Sequence, residues 1–274
     1  MRLRPIIGWT IFLFLIAIIA QAVPSATGSY YFVKGKRLYS EGDYKGASEA
    51  YEHSVISDPK FARGYVELGS AYYGLHDYAK AEQAFAKAVS VEEDSCAQCG
   101  LGMVYHAQNR NREAEAALDR AITLNPADEC GFHELGRLYY DEKRYEEAIQ
   151  AFLTETTLRP RAVTYHFIGN AYRYTDKFEE AVKAYREALR VDPNYTTVFV
   201  DLGHTFNGLG RHTEAIEAYR QEIKANPKDI DARVALALTQ LRHGDTRAAF
   251  EQYQMIQKLD PQRAETLAEA FNRR

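Results

Sequence analysis

The sequence predicts an all-α protein, a superhelical solenoid of antiparallel helix pairs, and three observations lead there. A column of small residues recurs at Gly35, Gly69, Gly102, Gly136, Gly169, Gly203 and Ala237, with separations of 34, 33, 34, 33, 34 and 34 residues. Three further columns keep that period: Ala47, Ala81, Ala114, Ala148, Ala181, Ala215 and Ala249; Tyr51, Phe85, Leu118, Phe152, Tyr185, Tyr219 and Tyr253; and Pro59, Pro126, Pro160, Pro193, Pro227 and Pro261, with Glu93 in the remaining place. Within a period, apolar residues follow helical spacing twice over, on either side of a polar break. Repeats of this length mean stacked supersecondary units, each too small to bury its own apolar faces.

The first element stands apart from the repeats. Arg2 and Arg4 precede an uncharged run from Ile6 to Ala20, followed by Gln21, Ala22, Val23 and Pro24. A positive start, an apolar middle and small residues before a possible cut after Ala22 have the order of a secretory signal peptide. Through Val23 the apolar run is also near the lower length limit of about 17–20 residues for a membrane anchor. Residues 1–23 are therefore read as a signal peptide or an N-terminal anchor. In either case the two arginines hold the N-terminus in the cytoplasm and send the rest across, to a periplasmic, secreted or membrane-anchored extracytoplasmic position. No cysteine precedes Cys96, which argues against a lipoprotein. Residues 24–27 form a short linker.

Seven helix pairs are expected over residues 28–263. In the fourth, Phe132, Leu135, Gly136 and Tyr139 fall at i, i+3, i+4 and i+7, and after Asp141, Glu142 and Lys143 a second stripe follows in Tyr145, Ala148, Ile149 and Phe152. Gly136 and Ala148 are small because helix axes about 8–10 Å apart leave no room at the crossing for a longer side chain. Pro160 ends the second helix and sets the turn into the next pair. Residues 262–274 continue with Ala264, Leu267, Ala268 and Phe271 at helical spacing, a capping helix over the last pair.

These residues resemble the tetratricopeptide repeat family, whose helix pairs of about 34 residues carry a Leu-Gly, Tyr, Ala, Phe/Tyr, Ala and Pro pattern. Leu68-Gly69, Leu101-Gly102, Leu135-Gly136, Ile168-Gly169 and Leu202-Gly203 supply its central pair. The resemblance implies a right-handed superhelix. The ends depart from the pattern: Lys34 replaces the leucine of the first unit, and Arg233, Ala237 and Gln240 dilute the seventh. Terminal units facing water on one side account for such polar substitutions. The pattern also explains why 20 tyrosines accompany one tryptophan, since the repeated packing columns use them as core aromatics.

The composition narrows the function. Hydrophobic residues make up 46% and charged residues 26%, and 34 Lys+Arg against 38 Asp+Glu leave a net charge of -4. That is a folded chain without the excess positive field that nucleic acid binding uses. No nucleophile-base-acid set and no glycine-rich phosphate loop occurs. With signal, repeats and cap taking nearly the whole length, no fused catalytic domain and no enzymatic activity are expected.

In this family the first helices of successive pairs line a concave groove, so the resemblance implies that the columns six and three before the glycine, and one, four and five after it, face a ligand. Those columns hold all three cysteines and four of the eight histidines, His106, His133, His166 and His204. Cys96 and Cys99 lie in the third unit, and Cys130 and His133 in the same two columns of the fourth. Each pair is i, i+3 on one face, with Cβ atoms about 5–6 Å apart. Three readings stand side by side: a Cys3His site for zinc or copper(I), a disulfide joining Cys96 to Cys99 or Cys99 to Cys130, and groove residues with no shared chemistry. Further along, the groove columns carry Arg137, Tyr140, Asn170, Arg173, Tyr174, His204 and Asn207. Asparagine can donate to and accept from a peptide backbone, arginine can clamp a carboxylate, and tyrosine supplies flat contact area. The expected function is an exported, non-enzymatic protein-protein interaction scaffold without a cofactor. It would bind a peptide segment or a folded partner in cell-envelope assembly, touching the membrane only through its N-terminal segment. The alternative is a metal- or thiol-handling protein built on the cysteine cluster.

Overall fold

The computed structural model describes residues 27–272, so the segment read as a signal or anchor lies outside the described residues. Among the described residues there are fifteen α-helices and no strand, and none of the helices is long and apolar enough to cross a membrane. They are α1 (27–40), α2 (Tyr44–Ser57), α3 (Ala62–Gly74), α4 (Tyr78–Val91), α5 (Ser95–Ala107), α6 (Asn111–Leu124), α7 (Glu129–Asp141), α8 (Tyr145–Leu158), α9 (Ala162–Tyr174), α10 (Phe178–Val191), α11 (Val198–Gly208), α12 (His212–Ala225), α13 (Ile230–His243), α14 (Thr246–Leu259) and α15 (Pro261–Asn272). The chain divides into two compact units, one ending at Leu138 and the other beginning at Tyr139. Each is an all-α solenoid of antiparallel helix pairs, the fold class that the periodicity predicts.

In the first unit α3 packs on α4 and α5 on α6, and α2·α3 and α4·α5 contacts join neighbouring pairs. The alanine column is fully buried from Ala47 to Ala249, and the column four residues on supplies the largest buried side chains, Tyr51, Tyr185, Tyr219 and Phe152 among them. The glycines are the reverse side of the same crossing. A Cβ on Gly69 would stand 2.8 Å from Phe85 Cδ1, and one on Gly102 2.5 Å from Leu118 Cγ. No real Cβ tolerates that approach, so the Phe85 ring and the Leu118 side chain of the second helices lie directly on the backbone of the first.

In the second unit the pairs α9·α10, α11·α12 and α13·α14 are stacked through α10·α11 and α12·α13. Here one expectation fails. Arg233 and Gln240 do not face water: they are 8% and 1% exposed. The last pair is covered by α15, which packs against both α13 and α14 and inserts Ala264 and Leu267 into the cluster formed by Ala237 and Ile256. The covered arginine is accommodated by the Pro227 carbonyl, to which its Nη2 donates at 2.7 Å, and by Gln252, whose Oε1 accepts at 3.3 Å. The Phe271 side chain of the expected cap stripe lies outside the described side chains. In α7 the deepest apolar residue is Leu138, at 0% exposure, whereas Phe132 is half-buried.

Candidate functional site

The first unit contains a cleft whose walls come from the first helices of its successive pairs. Tyr39 of α1, Arg63, Ser70 and Tyr73 of α3, Cys96 and Met103 of α5 and Cys130 of α7 line it, all from the five columns singled out in the sequence. Glu67, Phe85, Gly100 and Asp128 complete it from positions outside those columns.

The cysteine cluster forms one wall. Cys99 is joined to Cys130 by a disulfide, with Cα atoms 6.5 Å apart, and Cys96 is a half-buried free thiol. Cys99 lies three residues before Gly102 and Cys130 six before Gly136, so the bond joins α5 and α7 diagonally, one helical turn off the repeat register, with the Cα atoms within the range a disulfide spans. Sulfurs spent in that bond have no thiolate to offer a metal, so the Cys3His set does not assemble. Among the described residues no group of three or more His, Cys, Asp or Glu is arranged to hold a metal ion. His133 is half-buried on α7, one turn beyond Cys130. Burial pushes the Cys96 thiol pKa up, and Asp94 and Asp128 push it further, against Arg63. A raised pKa lowers the share of nucleophilic thiolate at neutral pH.

Asp128 and Asp94 have defined local duties. Asp94 caps α5 by accepting from the Ala97 N–H at 3.2 Å, and Asp128 accepts from the Cys130 N–H at 3.1 Å and the Ser95 hydroxyl at 3.4 Å. Arg63 Nε donates to Glu67 Oε1 at 2.9 Å, and Arg137 Nη1 to Glu134 Oε2 at 3.1 Å.

The remaining groove-column residues lie in the second unit, and the structure places them in a hydrogen-bonded network. The Tyr185 hydroxyl, passing beside Gly169, donates to Asn170 Oδ1 at 2.7 Å. The equivalent Tyr219 hydroxyl stands 3.0 Å from His204 Nδ1 and 3.3 Å from Asn207 Nδ2. Asn207 also donates to Thr239 Oγ1 at 2.7 Å, and its Oδ1 lies 3.0 Å from His212 Nδ1. Asp201 joins α11 to α9: His166 Nε2 is 2.8 Å from Oδ2 and Arg173 Nη2 is 3.5 Å from Oδ1. Both arginines expected to clamp a ligand carboxylate thus already face a carboxylate of the protein. Arg173 Nε is buried with no hydrogen-bond partner among the described residues.

Desolvation holds the His204 imidazole below its ordinary pKa, with Asp201 opposing and Arg173 assisting. The residue as a whole is exposed, so this belongs to the Nδ1 side that Tyr219 covers. Burial likewise raises Tyr219 to about 12. Beside this network Tyr174 is 53% exposed and stacks on Tyr145 at 5.1 Å, Tyr140 meets Tyr174 edge-on at 6.2 Å, and the Arg173 guanidinium lies 4.8 Å from the Tyr174 ring centre.

Sequence reasoning missed two kinds of residue. Glu67, Asp128, Glu134 and Asp201 fall outside the five columns, although Glu67, Glu134 and Asp201 share a column of their own, two residues before the glycine, and Asp128 shares its place with Asp94. The tyrosine hydroxyls of the second helices were read only as parts of core rings. A signal for them exists: Asn170 and His204, one residue after the glycine, accompany tyrosine at 185 and 219, whereas Met103 accompanies Leu118.

Comparison with known proteins follows the same lines. A family model described as tetratricopeptide repeat matches residues 32–95, 66–129, 99–163, 168–230 and 200–264. Over 111 residues the chain is 28% identical to Anaphase-promoting complex subunit 3 of Schizosaccharomyces pombe, covering 40% of this chain and 17% of that one. Over 125 residues it is 31% identical to a TPR repeat-containing protein of Treponema pallidum, covering 45% and 15% respectively. The chain thus spans less than a fifth of either curated relative. Among solved structures, the C-terminal part of a TPR repeat-containing protein from Cytophaga hutchinsonii is similar with a TM-score of 0.70 at 18% identity, over 86% of this chain and 98% of that one, a likeness of fold.

Proposed function

Because overlapping family matches cover most of its length, the chain belongs to the tetratricopeptide repeat family, and we propose that it is an extracytoplasmic scaffold that captures a peptide segment or protein partner during assembly at the cell envelope. The family fold is suited to protein-protein interaction. The observation that carries the finer reading is the cleft of the first unit, where residues from α1, α3, α5 and α7 converge on one concave face. A concave surface built from stacked first helices is what an extended partner can follow. Similarity over part of the chain to a subunit named for a multi-protein complex supports the same reading.

The extracytoplasmic position is supported by two independent features. The Arg2/Arg4-led apolar segment has the order of an export signal or anchor. The Cys99–Cys130 bond needs an oxidising compartment to persist. In this reading the protein works without a cofactor and without catalysis, and the membrane concerns only its N-terminal segment. The test is photo-crosslinking in cells from a probe residue placed at Ser70, in the cleft, with another at exposed Lys87 as control. The expected outcome is a discrete adduct from position 70 and none from 87, in a non-cytoplasmic fraction. Equal labelling from both positions, or a cytoplasmic protein with three reduced cysteines, overturns the proposal.

A further inference from the structure

We infer that the cleft of the first unit is a seat for a cationic side chain, lysine or arginine, presented by an extended peptide. This rests on the reading of the cleft as a binding surface and adds the chemistry of what enters it.

Charge is the first observation. Four carboxylates, Glu67, Asp94, Asp128 and Glu134, stand at or beside the cleft against two guanidinium groups. Arg63 is taken up by Glu67 at 2.9 Å and Arg137 by Glu134 at 3.1 Å. Asp94 and Asp128 are left with N–H and hydroxyl donors only, and among the described residues neither has a cation within ion-pair distance. A carboxylate accepting one or two neutral hydrogen bonds keeps lone pairs for a charged donor. The field of this arrangement reaches other groups. Burial is the largest cause of the raised pKa at both Cys96 and Tyr73; Asp94 and Asp128 add to it at Cys96 against Arg63, and Glu134 adds to it at Tyr73 against Arg137, so the carboxylates oppose a further anion at two places along the wall. The same field favours a cation.

The second observation is independent of charge. Tyr51 is fully buried, and its hydroxyl has no hydrogen-bond partner among the described residues. In the pairs α9/α10 and α11/α12 the corresponding hydroxyl is held by Asn170, or by His204 and Asn207. In the first pair the equivalent positions are Lys36 and Tyr39, which do not bond it. Burial pushes the pKa of this hydroxyl up, and Glu67 and Tyr39 push it further against Arg63; these three are all cleft residues, and the Tyr51 ring reaches toward them across Gly35. An orphaned buried hydroxyl oxygen is an acceptor awaiting an N–H donor.

The aromatic rings give the seat its walls. Tyr39 and Tyr73 both line the cleft, one at 36% exposure and the other half-buried. A guanidinium or ammonium placed over the face of either tyrosine gains cation–π attraction in addition to its ion pair. An acidic side chain in the same place would meet the Asp128 carboxylate, which has no ion-pair partner among the described residues, and gain neither.

The experiment uses the full chain in detergent and four fluorescein-labelled octapeptides that differ only at a central arginine, lysine, citrulline or glutamate. The arginine and lysine peptides are expected to bind at least tenfold more tightly than citrulline, arginine's uncharged isostere, with glutamate weakest. Asp128→Asn, which retains an acceptor for the Cys130 N–H, is expected to remove most of the arginine-over-citrulline preference. Tyr51→Phe is expected to weaken the arginine peptide several-fold without lowering the melting temperature. Glu217→Gln on α12 serves as control and leaves binding unchanged. Equal affinity for arginine and citrulline, preference for glutamate, an unaffected Asp128→Asn variant or no binding by any peptide overturns the inference. Retained crosslinking from position 70 in cells would then show that the scaffold reading survives with a partner of different chemistry.

Discussion

At the scale of single residues, one column of the repeat does two jobs according to its chemistry. Tyr185 and Tyr219 bury their rings against Gly169 and Gly203 and carry their hydroxyls through to the opposite face of the first helix, where Asn170 and His204 meet them. Tyr51 buries its ring on Gly35 in the same way, but its hydroxyl finds no partner among the described residues. The same substitution is therefore expected to have different outcomes. Tyr185→Phe leaves Asn170 without its donor and is expected to cost about 1 kcal/mol, while Tyr51→Phe removes an unsatisfied group and is expected to be neutral or stabilising. Urea unfolding of both variants checks this, and equal losses would contradict it. Gly169→Ala is expected to lower stability by about 1–3 kcal/mol, because its Cβ must displace the Tyr185 ring. His204 adds a pH dependence. Its folded-state pKa is lower than the ordinary value of 6.5, so the unfolded chain binds the proton more readily. Its contribution is fully present above that value and is lost as pH falls from it toward the folded-state pKa. Melting temperatures at pH 7.5 and 5.5 are expected to differ less for His204→Gln than for the parent.

At the scale of the helix pair, the turn between first and second helix repeats as faithfully as the core. The left-handed backbone position falls at Gly42, His76, Asn109, Lys143, Asp176, Gly210 and Gly244, again 33 or 34 residues apart. Glycine takes that conformation freely, whereas a Cβ costs roughly 1 kcal/mol there. Lys143→Gly, at an exposed position, is expected to raise the melting temperature, worth about 1 kcal/mol; a decrease would mean the lysine side chain stabilises the turn. Just after this position the chain starts the second helix in two ways. Asp43, Asp77 and Asp245 cap it through a side-chain oxygen. Arg110 and Arg211 stand in the same place without capping, and instead lie over Tyr105 and Phe206 and pair with Glu113 and Glu214. Small residues, alanines and prolines made the pairs legible because a helix crossing or a helix stop admits few residue types. The turn was legible only as a polar break, since His, Asn, Lys and Asp share no property except tolerance of strain.

At the scale of the whole chain, stability in a stack of repeats is carried by nearest-neighbour contacts, and the bond between Cys99 and Cys130 reinforces one of those contacts covalently. The three cysteines were visible in the sequence as one cluster, but which of them pair could not be read from spacing, because Cys96 and Cys99 occupy equivalent faces of α5 and only the packed position of α7 decides. The polar network around Asp201 was illegible for a similar reason: its members come from α9 and α11, and no periodic column joins them. The bond leads to a prediction about how stability is distributed. Thiol titration of the denatured protein is expected to find one free thiol, Cys96, and three after reduction. Closing a loop of separation 31 constrains the unfolded chain by an amount on the order of 3 kcal/mol. In a protein with one cooperative core, reduction would lower protection everywhere. Here the bond joins only two neighbouring repeats, so hydrogen exchange after reduction is expected to quicken in α5, α6 and the first turns of α7 and to change little in α11–α14. Uniform quickening along the chain would show instead that the repeats unfold as a single block, and that the bond's constraint is shared by all of them.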